Sequence, residues 1–146
     1  MKDIVEKKKN EYFILEGDFN HILNPITDWK GASISNKIQK FPLTSWLSKI
    51  CFTETYKYCN PQGGKFTWKN SKTQTRIDQV WISKDLRPGL QKSDIEEMES
   101  VTGSDHNLIW AQIKLDLIIR LGIGYTAGRK SIERKIFLYK DTTKEN

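Results

Sequence analysis

Histidine and cysteine are the scarce chemical residues of this chain, with two of each among 146. Cys51 and Cys59 are too few and too loosely spaced to staple a fold with disulfides or to form a zinc knuckle, so they read as reduced core thiols of an intracellular protein. Any imidazole chemistry near neutral pH must use His21 or His106. No stretch approaches the roughly 20 apolar residues of a membrane span. The amino end, MKDIVEKKKN, lacks the apolar middle of a secretory signal. These absences exclude a disulfide framework and a membrane partner, and they place the chain in the nucleus or cytoplasm. Internal repeats and low-complexity tracts are missing too.

What is present suits one domain of ordinary size, with 37% apolar residues. A net charge of +6 and a pI near 9.3 favour a polyanionic partner such as nucleic acid. Met1 to Asn10 reads as a short charged helix with little face to bury, and Tyr12 to Leu15 as a buried strand running into turn-forming Gly17, Asp18 and Asn20. Leu43, Trp46, Leu47 and Ile50 fall at helical spacing. FTETYKY alternates as a strand does, and Asn60, Pro61, Gly63 and Gly64 predict a hairpin-like connection to KFTW. TRIDQVWIS reads as a strand whose charged residues share a face, and DLRPGL as a short helical turn broken by Pro88. SDIEEMES is expected at a sheet edge. LIWAQIKLDLII predicts a long apolar strand, preceded by a loop through Thr102, Gly103 and Ser104. Beyond it, residues 118–146 read as a basic linker and tail. Strands alternating with helical segments predict a layered α/β or α+β domain.

Three short constellations can carry chemistry. In Gly17-Asp18-Phe19-Asn20, an Asx turn explains the residues without any function; alternatively, a carboxylate orients water while an amide binds a phosphoryl oxygen. In Ser104-Asp105-His106, either a turn cap and a structural histidine stand before the strand, or a carboxylate suited to a hard cation adjoins a general base. In Arg76-Ile77-Asp78, either Asp78 pairs with Arg76 on an exposed face, or it accepts the imidazole N–H of His106 and fixes its tautomer.

Taken in order, strand-GDFN, FTW ahead of RIDxxWIS, and SDH entering a last strand resemble the C-terminal half of the endonuclease/exonuclease/phosphatase superfamily. The resemblance runs from about Glu11 to Leu117. FILEGDFNHIL, KFTWKN and TRIDQVWISKDL look most like the endonuclease domains of non-LTR (LINE-type) retrotransposons. It implies that residues 1–117 are the second half of a four-layer α/β sandwich of the DNase I-like type, with a mixed β-sheet flanked by helices. It further implies a Mg²⁺-dependent (or Mn²⁺-dependent) endonuclease that hydrolyses a phosphodiester in DNA or RNA. By the same resemblance, Asp18 acts on the attacking water and Asn20 holds the scissile phosphate. His106 stabilises the phosphorus centre, Asp78 orients His106, and Asp105 supports the metal. Phe66, Trp68 and Arg76 flank the nucleic acid.

The family's first half, with its metal-binding Glu, has no counterpart in this sequence. The expectation is therefore a truncated reading frame supplying a single sheet with its inner face uncovered, marginally folded and inactive or weakly active without a missing N-terminal half-domain. Two rivals stand beside it: a non-catalytic nucleic-acid-binding remnant, supported by Lys7 to Lys9 and Arg129 to Lys135, and a phosphatase of the same superfamily.

Overall fold

The computed structural model describes residues 12–31, 42–98 and 104–114, together with the backbone of 133–138. The expected charged helix over Met1 to Asn10, the Thr102 and Gly103 part of the loop, residues 115–119 of the last apolar run and most of the basic tail lie outside the described residues. The chain is a mixed α/β protein with antiparallel sheets and few helices. No helix among the described residues is long and apolar enough to cross a membrane.

The central element is β6 (Asp78–Ile82), all five residues of which are buried. It pairs with β1 (Ile14–Asp18) on one side and with the two-residue β3 (Thr53–Glu54) on the other. Alternation along a strand sends Gln79 and Trp81 to one face and Asp78, Val80 and Ile82 to the other. Trp81 packs with Leu47 and Phe52, bordered by Leu15, Leu43 and Trp46, so helix α1 (Pro42–Lys49) covers that face. The helix closes with a left-handed residue, Cys51 at φ 63°, followed by a Phe52 N–H bonded to the Leu47 carbonyl at 3.0 Å. This closure satisfies carbonyls that a helix end leaves open, and Phe52 packs back on Leu47. Cys51 is consequently exposed and Cys59 half-buried, so neither free thiol is the core residue expected.

The opposite face of β6 meets a second sheet. Strand β7 (Leu90–Glu96) pairs antiparallel with β8 (Leu108–Lys114), which pairs in turn with β9 (Glu133–Leu138), inside the segment read as tail. With β8 central in that sheet, β7 is an edge strand. Val80 packs against Ile95, Ile109 and Ala111, while Ile82 packs against Ile113 and Leu86. Burying each of these large aliphatic side chains contributes roughly 1.5–3 kcal/mol. The expectation of one sheet with an open inner face is thereby corrected, because the chain brings its own second layer. Where a mixed sheet was expected, every strand pairing among the described residues is antiparallel.

FTETYKY departs from its predicted strand after two residues. The Glu54 carboxylate accepts the backbone N–H groups of Tyr56 and Lys57, capping a one-turn helix α2 (Thr55–Cys59). That cap rotates Tyr56 into the core, where its hydroxyl accepts the Lys65 N–H at 3.1 Å. KFTW therefore finds a different partner. Strand β4 (Trp68–Lys69) pairs with β5 (Thr73–Thr75), which also pairs with β2 (Trp29–Gly31). Asn70 closes the β4–β5 turn by accepting from the N–H groups of Lys72 and Thr73. Gly31, at φ 138°, is required by close approach, since a Cβ there would lie 2.4 Å from the Lys72 carbonyl oxygen.

Arg76 lies in the bend between β5 and β6, only 1% exposed. Its guanidinium grips Asp28 with two hydrogen bonds of 3.1 Å, faces Glu54 Oε2 at 3.0 Å and lies 5.2 Å from the Tyr56 ring centre. Asp28 in turn accepts the N–H groups of Leu23 and Asn24, so one cation organises the loop after β1 and the start of α2 together. Burial pushes the Glu54 carboxyl's pKa up, and Arg76 opposes that rise. Replacing Arg76 by Met strands two buried acids. We expect Arg76→Met to lower unfolding free energy by about 3–5 kcal/mol in urea titrations; a loss below about 1 kcal/mol would show that the network is not structural.

Candidate active site

The register of β1 on β6 puts Asp18 directly opposite Asp78, so both carboxylates project from the same sheet face. Like charges placed directly across a ladder are destabilising, which makes this pairing a poor choice for packing alone. A third element meets them. The segment before β8 forms an antiparallel bridge between His106 and Trp68, held by Lys69 N–H to Asp105 carbonyl at 3.2 Å and Asn107 N–H to Thr67 carbonyl at 2.7 Å. This bridge brings His106 Nδ1 to 2.9 Å from Asp78 Oδ2. Ligand atoms of Asp18, Asp78 and His106 lie within 4.8 Å of one another.

Each member is held from behind. Thr67 Oγ1 accepts the N–H groups of Ile77 and Asp78 at 3.0 and 2.9 Å, and its side chain also hydrogen-bonds the Asp78 carboxyl. Ser104 Oγ accepts the His106 N–H at 3.1 Å, closing the turn into β8. Asp18 Oδ1 accepts the Asn20 N–H at 2.8 Å. Asn20 is exposed and left-handed at φ 47°, a conformation asparagine tolerates better than most residues. The expected Asx turn is thus present, with Asp18 at once closing the turn and contributing a ligand atom to the cluster. Gly17, at φ 150°, has open space where a Cβ would sit, so its glycine is demanded by backbone conformation and not by crowding.

Several residues named from sequence sit elsewhere. Asp105 is exposed and accepts the Trp68 indole N–H at 2.9 Å, outside the acid–histidine cluster. Arg76 is buried in its ion pairs and does not reach the surface. Phe66 is half-buried, its carbonyl accepting from Asn107 Nδ2 at 2.9 Å. Trp68 is half-buried beside His106. Thr67, Gln79 and Asp28 were not singled out, because a threonine, an amide and a loop carboxylate carry no sequence signal of their own. Two cavities of about 460 and 470 Å³ lie away from the cluster. One lies between the His21–Leu23 loop, α1 and α2, and the other is lined by Lys30, Lys65, Phe66 and Lys69.

With Asp78 ionised, the carboxylate can only accept, so the proton of the shared bond sits on Nδ1 and the Nε2 lone pair is left to act as base or ligand. No protein-family model matches this chain, and no curated protein matches it either.

Burial pushes the Asp78 carboxyl's pKa up, against the lowering effects of Thr67 and His106. Between the ordinary aspartate range and that raised value, the folded state binds more protons than the unfolded one. The Asp78 contribution to stability thus declines as pH rises through this window and is level above it. We expect its carboxyl carbon to titrate by NMR above the usual value of about 3.9. A midpoint at or below it would contradict the desolvated placement.

Proposed function

We propose that this chain is the second half of a Mg²⁺-dependent phosphodiesterase of the endonuclease/exonuclease/phosphatase superfamily, nearest in kind to the endonuclease domains of LINE-type retrotransposons. The observation that carries the reading is the meeting of Asp18, Asp78 and His106 from three separate stretches of chain. Those stretches hold the GDFN, RID and SDH motifs in the expected order. Packing of the β1–β6–β3 sheet on the β7–β8–β9 sheet is compatible with one part of a DNase I-like four-layer sandwich.

In this reading the substrate is a nucleic-acid phosphodiester, consistent with the net charge of +6. His106, oriented through Nδ1 by Asp78, takes the water proton at Nε2 when neutral and donates Nε2–H to a phosphoryl oxygen when protonated. Asp18 orients the attacking water, and the Asn20 amide, exposed at the turn, hydrogen-bonds the phosphate. Trp68 lies beside His106, where its ring can meet a base or sugar.

The donor set fits a hard cation held lightly: ligand atoms of Asp18, Asp78 and His106 lie within 4.8 Å of one another, with Asp78 also hydrogen-bonded to Thr67 and His106. Such a cation would supply charge neutralisation at the phosphate. A non-catalytic nucleic-acid-binding remnant is the second reading, favoured by the net charge of +6 and by the position of Asp105 outside the acid–histidine cluster.

Purified chain should nick supercoiled plasmid weakly in Mg²⁺, as expected of one half of the site. His106→Ala should reduce the rate at least 100-fold and Asp78→Asn by at least tenfold, with circular dichroism and unfolding midpoints checked in parallel. Salt-sensitive DNA binding without nicking by folded protein would favour the remnant, and cleavage indifferent to His106 would overturn the assignment.

A further inference from the structure

Gln79 follows Asp78 on β6 and points to the opposite face, away from the acid–histidine cluster. It is completely buried, yet both ends of its amide are used. Its Oε1 accepts the Trp81 indole N–H at 2.9 Å, and its Nε2 donates to the His21 carbonyl at 2.7 Å. Indole nitrogen can only donate, so Trp81 fixes which end of the amide carries oxygen and turns the NH₂ toward His21. Trp81 is itself immobilised by Leu47 and Phe52.

The peptide gripped at His21 belongs to the turn that carries Asp18 and Asn20. Other attachments hold the same stretch: Phe19 N–H bonds the Ile77 carbonyl at 2.9 Å, and Asp28 holds the N–H groups of Leu23 and Asn24 farther along. Gln79 lies between them, on the strand that supplies Asp78.

We infer that Gln79 is a positioning residue that sets the Asp18–His21 turn against the Asp78 strand, fixing the placement of the Asn20 amide beside the two carboxylates that strand pairing brings together. The inference deepens the proposed phosphodiesterase reading and rests on it for its catalytic consequence, but the clamp itself is a property of the fold. Gln79 touches none of the reacting groups. Its effect passes through one carbonyl.

Two variants separate this role from a merely structural one. Gln79→Met keeps the approximate volume and loses both hydrogen bonds. Gln79→Glu, when ionised, keeps an acceptor for Trp81 and has no N–H to give His21. Amide hydrogen exchange followed by NMR on the whole chain reads the turn directly. In both variants we expect protection at Phe19 to fall by about fivefold to tenfold, the size of effect one lost hydrogen bond produces. Val80 and the Asp28-bound Leu23 and Asn24 amides should keep theirs. In Gln79→Glu, the Trp81 indole N–H resonance should stay near its original position, and in Gln79→Met it should move. Where the unsubstituted chain nicks DNA, kcat should fall about tenfold with KM within a factor of two.

Unchanged Phe19 protection in both variants would overturn the inference. So would an equal loss at Val80, because Gln79 would then only hold the core together. Absence of nicking by the unsubstituted chain would speak against the proposed chemistry while leaving the exchange result to decide the clamp.

Discussion

One buried guanidinium holds the parts of this molecule in relation to each other. Arg76 sits at the bend that turns β5 into β6, and it grips a loop carboxylate, a helix-capping carboxylate and an aromatic ring at once. Without it the Asp28 carboxylate would lose its two guanidinium bonds, and Glu54 would lose the cation it faces. Burial is what pushes the Glu54 pKa up, with Asp28 adding a smaller push and Arg76 opposing both. Such networks add little net stability over a well-packed apolar substitute. What this one contributes is geometry, because the forked donor binds Asp28 through two hydrogen bonds at fixed angles while its charge faces Glu54.

The elements that define that geometry differ in how openly the sequence announces them. Strands β1, β6 and β8 and helix α1 are legible because their apolar residues follow a period or form a run; β1 nevertheless lies less deeply than its apolar run predicts, with Tyr12 and Ile14 exposed at the side of β6. Helix α2 is not legible. TETYKY alternates well enough for a strand, and only the capping carboxylate of Glu54, itself committed to Arg76, turns it into a helical turn. Nor does the sequence say that β8 will return to cover the inner face of β6, since pairing between distant segments leaves no local mark. Cys51 reads as core by composition and is exposed because its position closes a helix.

The candidate site follows the same division. Asp18, Asp78 and His106 each stand at the end of a legible strand, so their residue types and positions can be read directly, and their proximity comes from strand pairing and the Trp68 bridge. Asp105 and Arg76 mislead for one reason: being next to a chemically useful residue in sequence says nothing about the direction of a side chain. Arg76 is two residues from Asp78 and lies in a bend, where strand alternation no longer applies. Thr67 illustrates the converse, a silent residue whose hydroxyl becomes important once Ile77 and Asp78 are folded against it.

Strand β6 carries different cargo on its two faces, carboxylate and aliphatics on one and amide and indole on the other. A single inserted or deleted residue between Arg76 and Asp78 would be a frame error in three dimensions. It would exchange the faces along the strand, driving Trp81 between the two sheets, where Val80 now meets Ala111, and sending Asp78 toward the apolar bed beneath α1. Folding and chemistry thus share one length constraint, and any lineage of such chains that tolerates changes in chain length must accept them somewhere other than this bend.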